Sequence, residues 1–201
     1  MPYSRPTVTL SDRFSDALVY AAALHGNQRR KVSGEPYIAH LLAVAATVLE
    51  YGGDEDEAIA GLLHDAVEDQ GGPATAAAIA ARFGTRVAEI VDGCSDAVEM
   101  PKPPWQQRKE RFLGALATAS SSVRLVTAAD KLHNVRALTR DYRRIGDELW
   151  THFRGGRDGT LWYHRAIADA LVKLDEGPLV AELRDAVAAL ERLVARRAAQ
   201  E

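Results

Sequence analysis

Apolar residues recur along this chain every three or four positions, and nowhere do they alternate one by one over a long stretch. A helical side chain returns to the same face after about 3.6 residues and a strand side chain after two, so the spacing predicts an all-α fold. At 201 residues with 47% hydrophobic content, the chain can bury a core of its own and is not disordered. One all-helical domain over 1–201 is the economical expectation, since no internal repeat or low-complexity linker divides it. Charged residues make up 26%, and no apolar run reaches the roughly 18–20 residues of a membrane span. The start, Met1-Pro2-Tyr3-Ser4-Arg5, has no apolar stretch behind its charge and does not read as a secretory signal. With 25 basic against 28 acidic residues, binding to nucleic acid by bulk charge is not expected. The single cysteine, Cys94, cannot form an internal disulfide, which fits a reducing cytoplasm.

Capping residues and helix breakers place the elements. Ser11 can cap a first helix ending at Gly26, and Pro36 suits the first turn of a second that ends near Gly52-Gly53. Asp54 with Glu57 forms a capping box for a third, expected to run on until Gly71-Gly72-Pro73. Short helices at 75–83 and 85–94 precede a proline loop, Met100 to Pro104. Helices from Trp105 to about Ala119 and from about Ser122 to Arg140 follow, then a break at Gly155–Gly159. The last helices are expected near 160–174 and 178–198, within a C-terminal segment 176–201. Leu179, Leu183, Val187, Leu190 and Val194 form a stripe on the final one. Packing on its own domain is the ordinary reading of that stripe, and docking of a partner helix is the other.

The residues that invite chemistry lie at one helix end, in Leu62-Leu63-His64-Asp65-Ala66-Val67-Glu68-Asp69. On a continuous helix His64 stacks over Glu68 and Asp65 over Asp69. Three acids at a helix C-terminus oppose the macrodipole, which disfavours a plain solvated helix end and calls for a cation or another compensation. His40 lies early in the second helix; taken alone it reads as a packed, hydrogen-bonded residue. Asp130 borders the apolar face of Leu125, Val126, Ala129 and Leu132, where an unpaired carboxylate is costly; a metal, Lys131 or an arginine could satisfy it. Together His40, His64, Asp65 and Asp130 make a mixed nitrogen and oxygen donor set from three helices. Such a set suits Mn²⁺, Fe²⁺ or Co²⁺, and can also take Zn²⁺. Arg29-Arg30-Lys31, just before His40, reads either as a solvated basic loop or as a grip for phosphate.

These pieces resemble a known family. The ordered blocks are His25-x-x-Gln28-x-Arg30-Lys31, Gly34-Glu35-Pro36-Tyr37-Ile38-x-His40, Leu63-His64-Asp65-x-x-Glu68-Asp69, Phe83-Gly84-x-x-Val87-x-x-Ile90-Val91-x-Gly93 and Asp130-Lys131-Leu132-His133-Asn134-x-Arg136-x-Leu138. In that order they are similar to the HD hydrolase domain of the RelA/SpoT homologues, clearly from about 25 to 138 and loosely to about 174. The length leaves no room for that family's synthetase and regulatory domains, so the chain resembles its stand-alone small alarmone hydrolases. The resemblance implies an HD-type bundle of about 8–10 helices and Mn²⁺-dependent removal of pyrophosphate from the 3′ position of (p)ppGpp, leaving GDP or GTP. By motif position it implies His40, His64, Asp65 and Asp130 as metal ligands and Glu68 and Asp69 as the catalytic acids. It likewise implies Arg30, Lys31 and Asn134 as substrate contacts. His25 falls outside the metal set as a supporting residue, and His133 and Cys94 read as packing; His152 and His164 have no motif support.

The chain departs from the family pattern at three places. Val32 lengthens the loop between Lys31 and Gly34, Leu41 stands where proline follows the metal histidine, and Cys94-Ser95 replaces an aliphatic-threonine pair. The first bears on base selection and keeps two other substrates in view, ppApp-type alarmones and the 2′-phosphate of NADPH. A reading of another class is an antitoxin-like partner that neutralises an alarmone synthetase.

Overall fold

The computed structural model describes residues 8–96, 101–174 and 177–199. Met1–Arg5 and Met100, read above as a non-signal start and as part of a loop, lie outside the described residues. Ten α-helices and one 3-10 helix account for the regular structure, with no β-strand among the described residues. The all-α expectation is met.

Helix α1 (Asp12–Leu24) begins where Ser11 Oγ accepts a hydrogen bond from Arg13 N. Helix α2 (Ile38–Glu50) starts two residues later than its proline suggests. Pro36 instead pairs with Arg29 in an isolated antiparallel bridge, and Tyr37 N donates to Gln28 O at 2.9 Å. Proline has no N–H to lose there, and the closed loop holds Arg30 and Lys31 beside the start of α2. Helix α3 (Glu55–Leu63) carries the expected capping box, in which Asp54 and Glu57 satisfy each other's backbone N–H groups.

The expected long third helix is interrupted. It stops at Leu63, turns through His64 and Asp65, and resumes as the short α4 (Ala66–Asp69). His64 Nδ1 bonds to the carbonyl of Gly61 at 2.8 Å, the acceptor that a continuing helix would give to the N–H of Asp65.

Helices α5 (Pro73–Phe83) and α6 (Thr85–Cys94) meet at Gly84, and Pro73 takes the first turn of α5, two residues ahead of the expected start. Helix α7 (Trp105–Leu116) ends short of Ala119. Helix α8 (Ser121–Ile145) is longer than the pattern implied and passes into a 3-10 helix, Gly146–His152. The glycine break is narrower than expected, because Gly156 already opens α9 (Gly156–Val172). Helix α10 (Pro178–Ala198) has the expected bounds.

A continuous apolar core joins residues from α1 to α10. Leu41, Val44 and Val48 of α2, Ile59, Leu62 and Leu63 of α3, and Val126, Leu132 and Val135 of α8 are all inside it. The stripe of α10 is buried against α8 and α9, as its ordinary reading holds, and is not a free docking face. Helices α2 and α3 can approach closely because Gly61 has no side chain: a Cβ there would lie 3.2 Å from the Ala45 Cα. That contact brings the His40 and His64 helices together.

Candidate metal centre and its cleft

Three helices deliver four side chains to one point. His40 comes from the first turn of α2, His64 and Asp65 from the turn between α3 and α4, and Asp130 from the middle of α8. The ligand-capable atoms of His40, His64 and Asp65 lie within 4.8 Å of one another. Asp65 Oδ2 is 3.6 Å from His40 Nε2 and 3.1 Å from His64 Nε2. Asp130 Oδ1 is 3.3 Å from His40 Nε2 and 3.6 Å from His64 Nε2. Donors about 2.0–2.2 Å from one ion are separated by roughly 3.0–3.6 Å, so these spacings fit a shared divalent cation. The Nε2 atoms of both histidines are buried and have no hydrogen-bond partner. Such atoms are costly inside a protein unless something binds them.

The charges agree with that fit. Burial alone would raise the pKa of Asp65 and Asp130, yet both sit well below the ordinary carboxylate range. His64 and His40 hold Asp65 down, and Lys131 with the two histidines holds Asp130 down. Burial opposes a charge on His64, but the two aspartates outweigh it and push its pKa well up. Two carboxylates at one point call for positive charge, which a divalent ion supplies with better geometry than a proton.

The surrounding residues orient this set. Tyr37 Oη donates to Asp65 Oδ2 at 2.5 Å, and burial followed by Asp65 raises its pKa so that the phenol stays protonated. Lys131 Nζ donates to Asp130 Oδ2 at 2.5 Å and Asn134 Nδ2 to Asp130 Oδ1 at 2.5 Å. His40 Nδ1 lies 2.8 Å from His133 Nδ1. Burial, then the neighbouring His40 and Arg30, lower the pKa of His133 to about 4.

The centre lies on the wall of a cleft of about 620 Å³, which Asp65 lines. Glu68 and Asp69 face the same space from α4, outside the four-residue cluster. Lys102 Nζ holds Glu68 Oε1 at 2.9 Å. Gln28 Nε2 donates to Asp69 Oδ2 at 2.7 Å, while Gln28 Oε1 lies 2.6 Å from His25 Nδ1 and accepts from Gln70 Nε2 at 2.7 Å. Burial and the nearby Asp65 raise the pKa of Asp69, with Gln28 pulling the other way.

Arg30 and Lys31 line the cleft, Arg30 donating to Asn134 Oδ1 at 3.0 Å and covering the Tyr37 ring. Val32 lines it as well. Lys102, Arg108, Lys109 and Tyr163 line it too. Sequence reasoning did not single out these four, nor Tyr37 or Gln28 in their supporting roles, whereas Lys131 is the partner of Asp130 that it named as one alternative. For Tyr37 and Gln28, membership in the quoted motif blocks was a usable signal. Lys102, Arg108 and Lys109 belong to no quoted block. Cys94 is packed as expected, its thiol pushed up to about 11 by burial.

With this geometry the chain can be placed among known proteins. The HD domain family model matches residues 17–161, and the chain belongs to the HD domain family. The guanosine-3′,5′-bis(diphosphate) 3′-pyrophosphohydrolase MESH1 of Xenopus tropicalis is 37% identical over 142 residues, covering 69% of this chain and 74% of that protein. The guanosine-3′,5′-bis(diphosphate) 3′-pyrophosphohydrolase of Aquifex aeolicus is 40% identical over 129 residues, 64% of this chain and 18% of that one. The chain thus spans less than a fifth of the length of this and other long curated relatives. A metazoan ortholog of SpoT, which hydrolyzes ppGpp and plays a role in starvation responses, superposes with a TM-score of 0.74 at 26% identity. The match covers 93% of this chain and 98% of that one. Among the described residues no helix is long and apolar enough to cross a membrane.

Proposed function

We propose that this chain, acting as one HD domain over its length, is a metal-dependent (p)ppGpp 3′-pyrophosphohydrolase of the cytoplasm, working in the stringent response. The observation that carries the reading is the pair of buried, unpartnered Nε2 atoms of His40 and His64 facing Asp65 and Asp130 beside a basic cleft. The names of the relatives support the substrate. His40, His64, Asp65 and Asp130 would hold the ion, with Mn²⁺ implied by the family resemblance and Fe²⁺ or Co²⁺ also suited to the mixed donor set. Bound there, a divalent ion polarises phosphoryl oxygens and lowers the pKa of water.

The chain's own residues do the rest. In the reaction, water adds to the phosphorus attached to O3′, the P–O3′ bond breaks, and pyrophosphate leaves. O3′ takes a proton, and GDP or GTP remains. Asp69, held by Gln28, would accept the water's proton, and Glu68 would position that water or return a proton to O3′. Arg30 and Lys31 would grip the nucleotide, with Asn134 setting the Arg30 guanidinium.

The test is an anion-exchange time course of metal-stripped protein with ppGpp, ppApp and NADPH, each with and without Mn²⁺. Mn²⁺-dependent release of GDP and pyrophosphate from ppGpp, lost in His64→Ala, is the expected result. Faster turnover of ppApp, or orthophosphate from NADPH, would move the substrate and point to the Val32 wall of the cleft. No turnover of any of the three would overturn the enzymatic reading.

A further inference from the structure

The two imidazoles of the centre are anchored in different ways. His64 Nδ1 is tied to Gly61 O in the last turn of the helix just before it. His40 Nδ1 reaches across to His133 Nδ1 on α8, at 2.8 Å with ring centroids 4.8 Å apart. A nitrogen–nitrogen hydrogen bond needs one donor and one acceptor. For His40 to offer a lone pair at its buried, unpartnered Nε2, its proton must sit on Nδ1, and the acceptor is then His133. We propose that His133 is a positioning residue of the metal centre, accepting the Nδ1 proton of His40 and so fixing that ring's tautomer and direction. The proposal rests on the metal-site reading above and is independent of the nucleotide substrate.

The register of α8 supports it. Asp130, His133 and Asn134 are spaced i, i+3, i+4 and share one face of the helix. The first faces both imidazoles, the second meets His40, and the third bonds to Asp130 and to Arg30. A partner on the far nitrogen of a ligating histidine typically changes metal affinity by about 10–100-fold.

The experiment is a calorimetric titration of Mn²⁺ into metal-stripped wild type, His133→Leu and His133→Asn. Asparagine Oδ1 stands on the same carbon as histidine Nδ1 and can accept the same proton. Expected is a roughly 10–100-fold weaker affinity in the leucine variant, with most of it restored in the asparagine variant. Equal affinity in wild type and leucine variant would overturn the proposal, and so would equal weakness of both variants, which means packing alone. Wild type that binds no divalent ion would overturn the metal reading itself. Should the leucine variant fail to fold, imidazole nitrogen NMR of metal-free wild type at mildly alkaline pH decides. His40 with its proton on Nδ1 supports the role, and the proton on Nε2 refutes it.

Discussion

Asp69 and Glu68 face one cleft from adjacent positions, yet each is held by a different kind of partner. Lys102 neutralises Glu68, whereas Gln28 gives Asp69 a single neutral hydrogen bond. A base needs a carboxylate that still binds a proton readily, and burial beside Asp65 raises the pKa of Asp69 in that direction. Asp69→Asn is therefore expected to lower kcat on ppGpp by about 10²–10⁴-fold while Mn²⁺ affinity, read by calorimetry, stays within a few-fold of wild type. Gln28→Leu removes the group that favours the ionised form. The acid limb of the kcat profile should then move to higher pH, because the protonated, inactive form persists further. A limb that stays put would remove Gln28 from this role.

The helices matter here as carriers of register. Gly61 serves twice: its missing side chain lets α2 meet α3, and its carbonyl receives His64 Nδ1. Gly61→Val should cost about 1–3 kcal/mol by overpacking, seen as a lower thermal midpoint. It should also weaken metal binding, since it pushes the His40 helix off the His64 helix. Both caps on which the sequence argument leaned, Ser11 and the Asp54–Glu57 box, are formed as read, because capping is settled within four residues. The start of α2 was misread for the opposite reason. Pro36 satisfies the local rule for a first turn, but a bridge to Arg29 claims it. The long third helix failed likewise at His64, where a side chain competes for a backbone acceptor.

Across the whole molecule, the proposed metal site would couple binding to folding. An ion that binds only the folded chain stabilises it by about 2.7 kcal/mol at a hundred times its Kd. Thermal denaturation should accordingly rise with Mn²⁺ in wild type and stay flat in His64→Ala. Acid should destabilise the fold through His164. Burial, then Lys131, lowers its folded pKa to about 3, against about 6.5 in an unfolded chain. The unfolded chain takes up that proton first, so the stability His164 contributes is full above about pH 6.5 and falls away towards pH 3. His164→Leu should flatten the thermal midpoint over that window.

What the sequence determined by itself was whatever depends on neighbours along the chain: the all-helical class, most helix limits, the caps, and the stripe that buries α10. The cluster of His40, His64, Asp65 and Asp130, proposed above as the metal ligands, was also legible as a group, since its residue types are unusual beside apolar faces and recur in the family's order. Only tertiary structure decided which nitrogen each histidine presents, that His133 meets His40 rather than merely packing, and that Lys102, Arg108 and Lys109 line one cleft together with Arg30 and Lys31. The physical reason is range. Propensity and capping act within one or two turns, whereas a tautomer or a cleft wall is set by groups dozens of residues away that meet only when the helices pack.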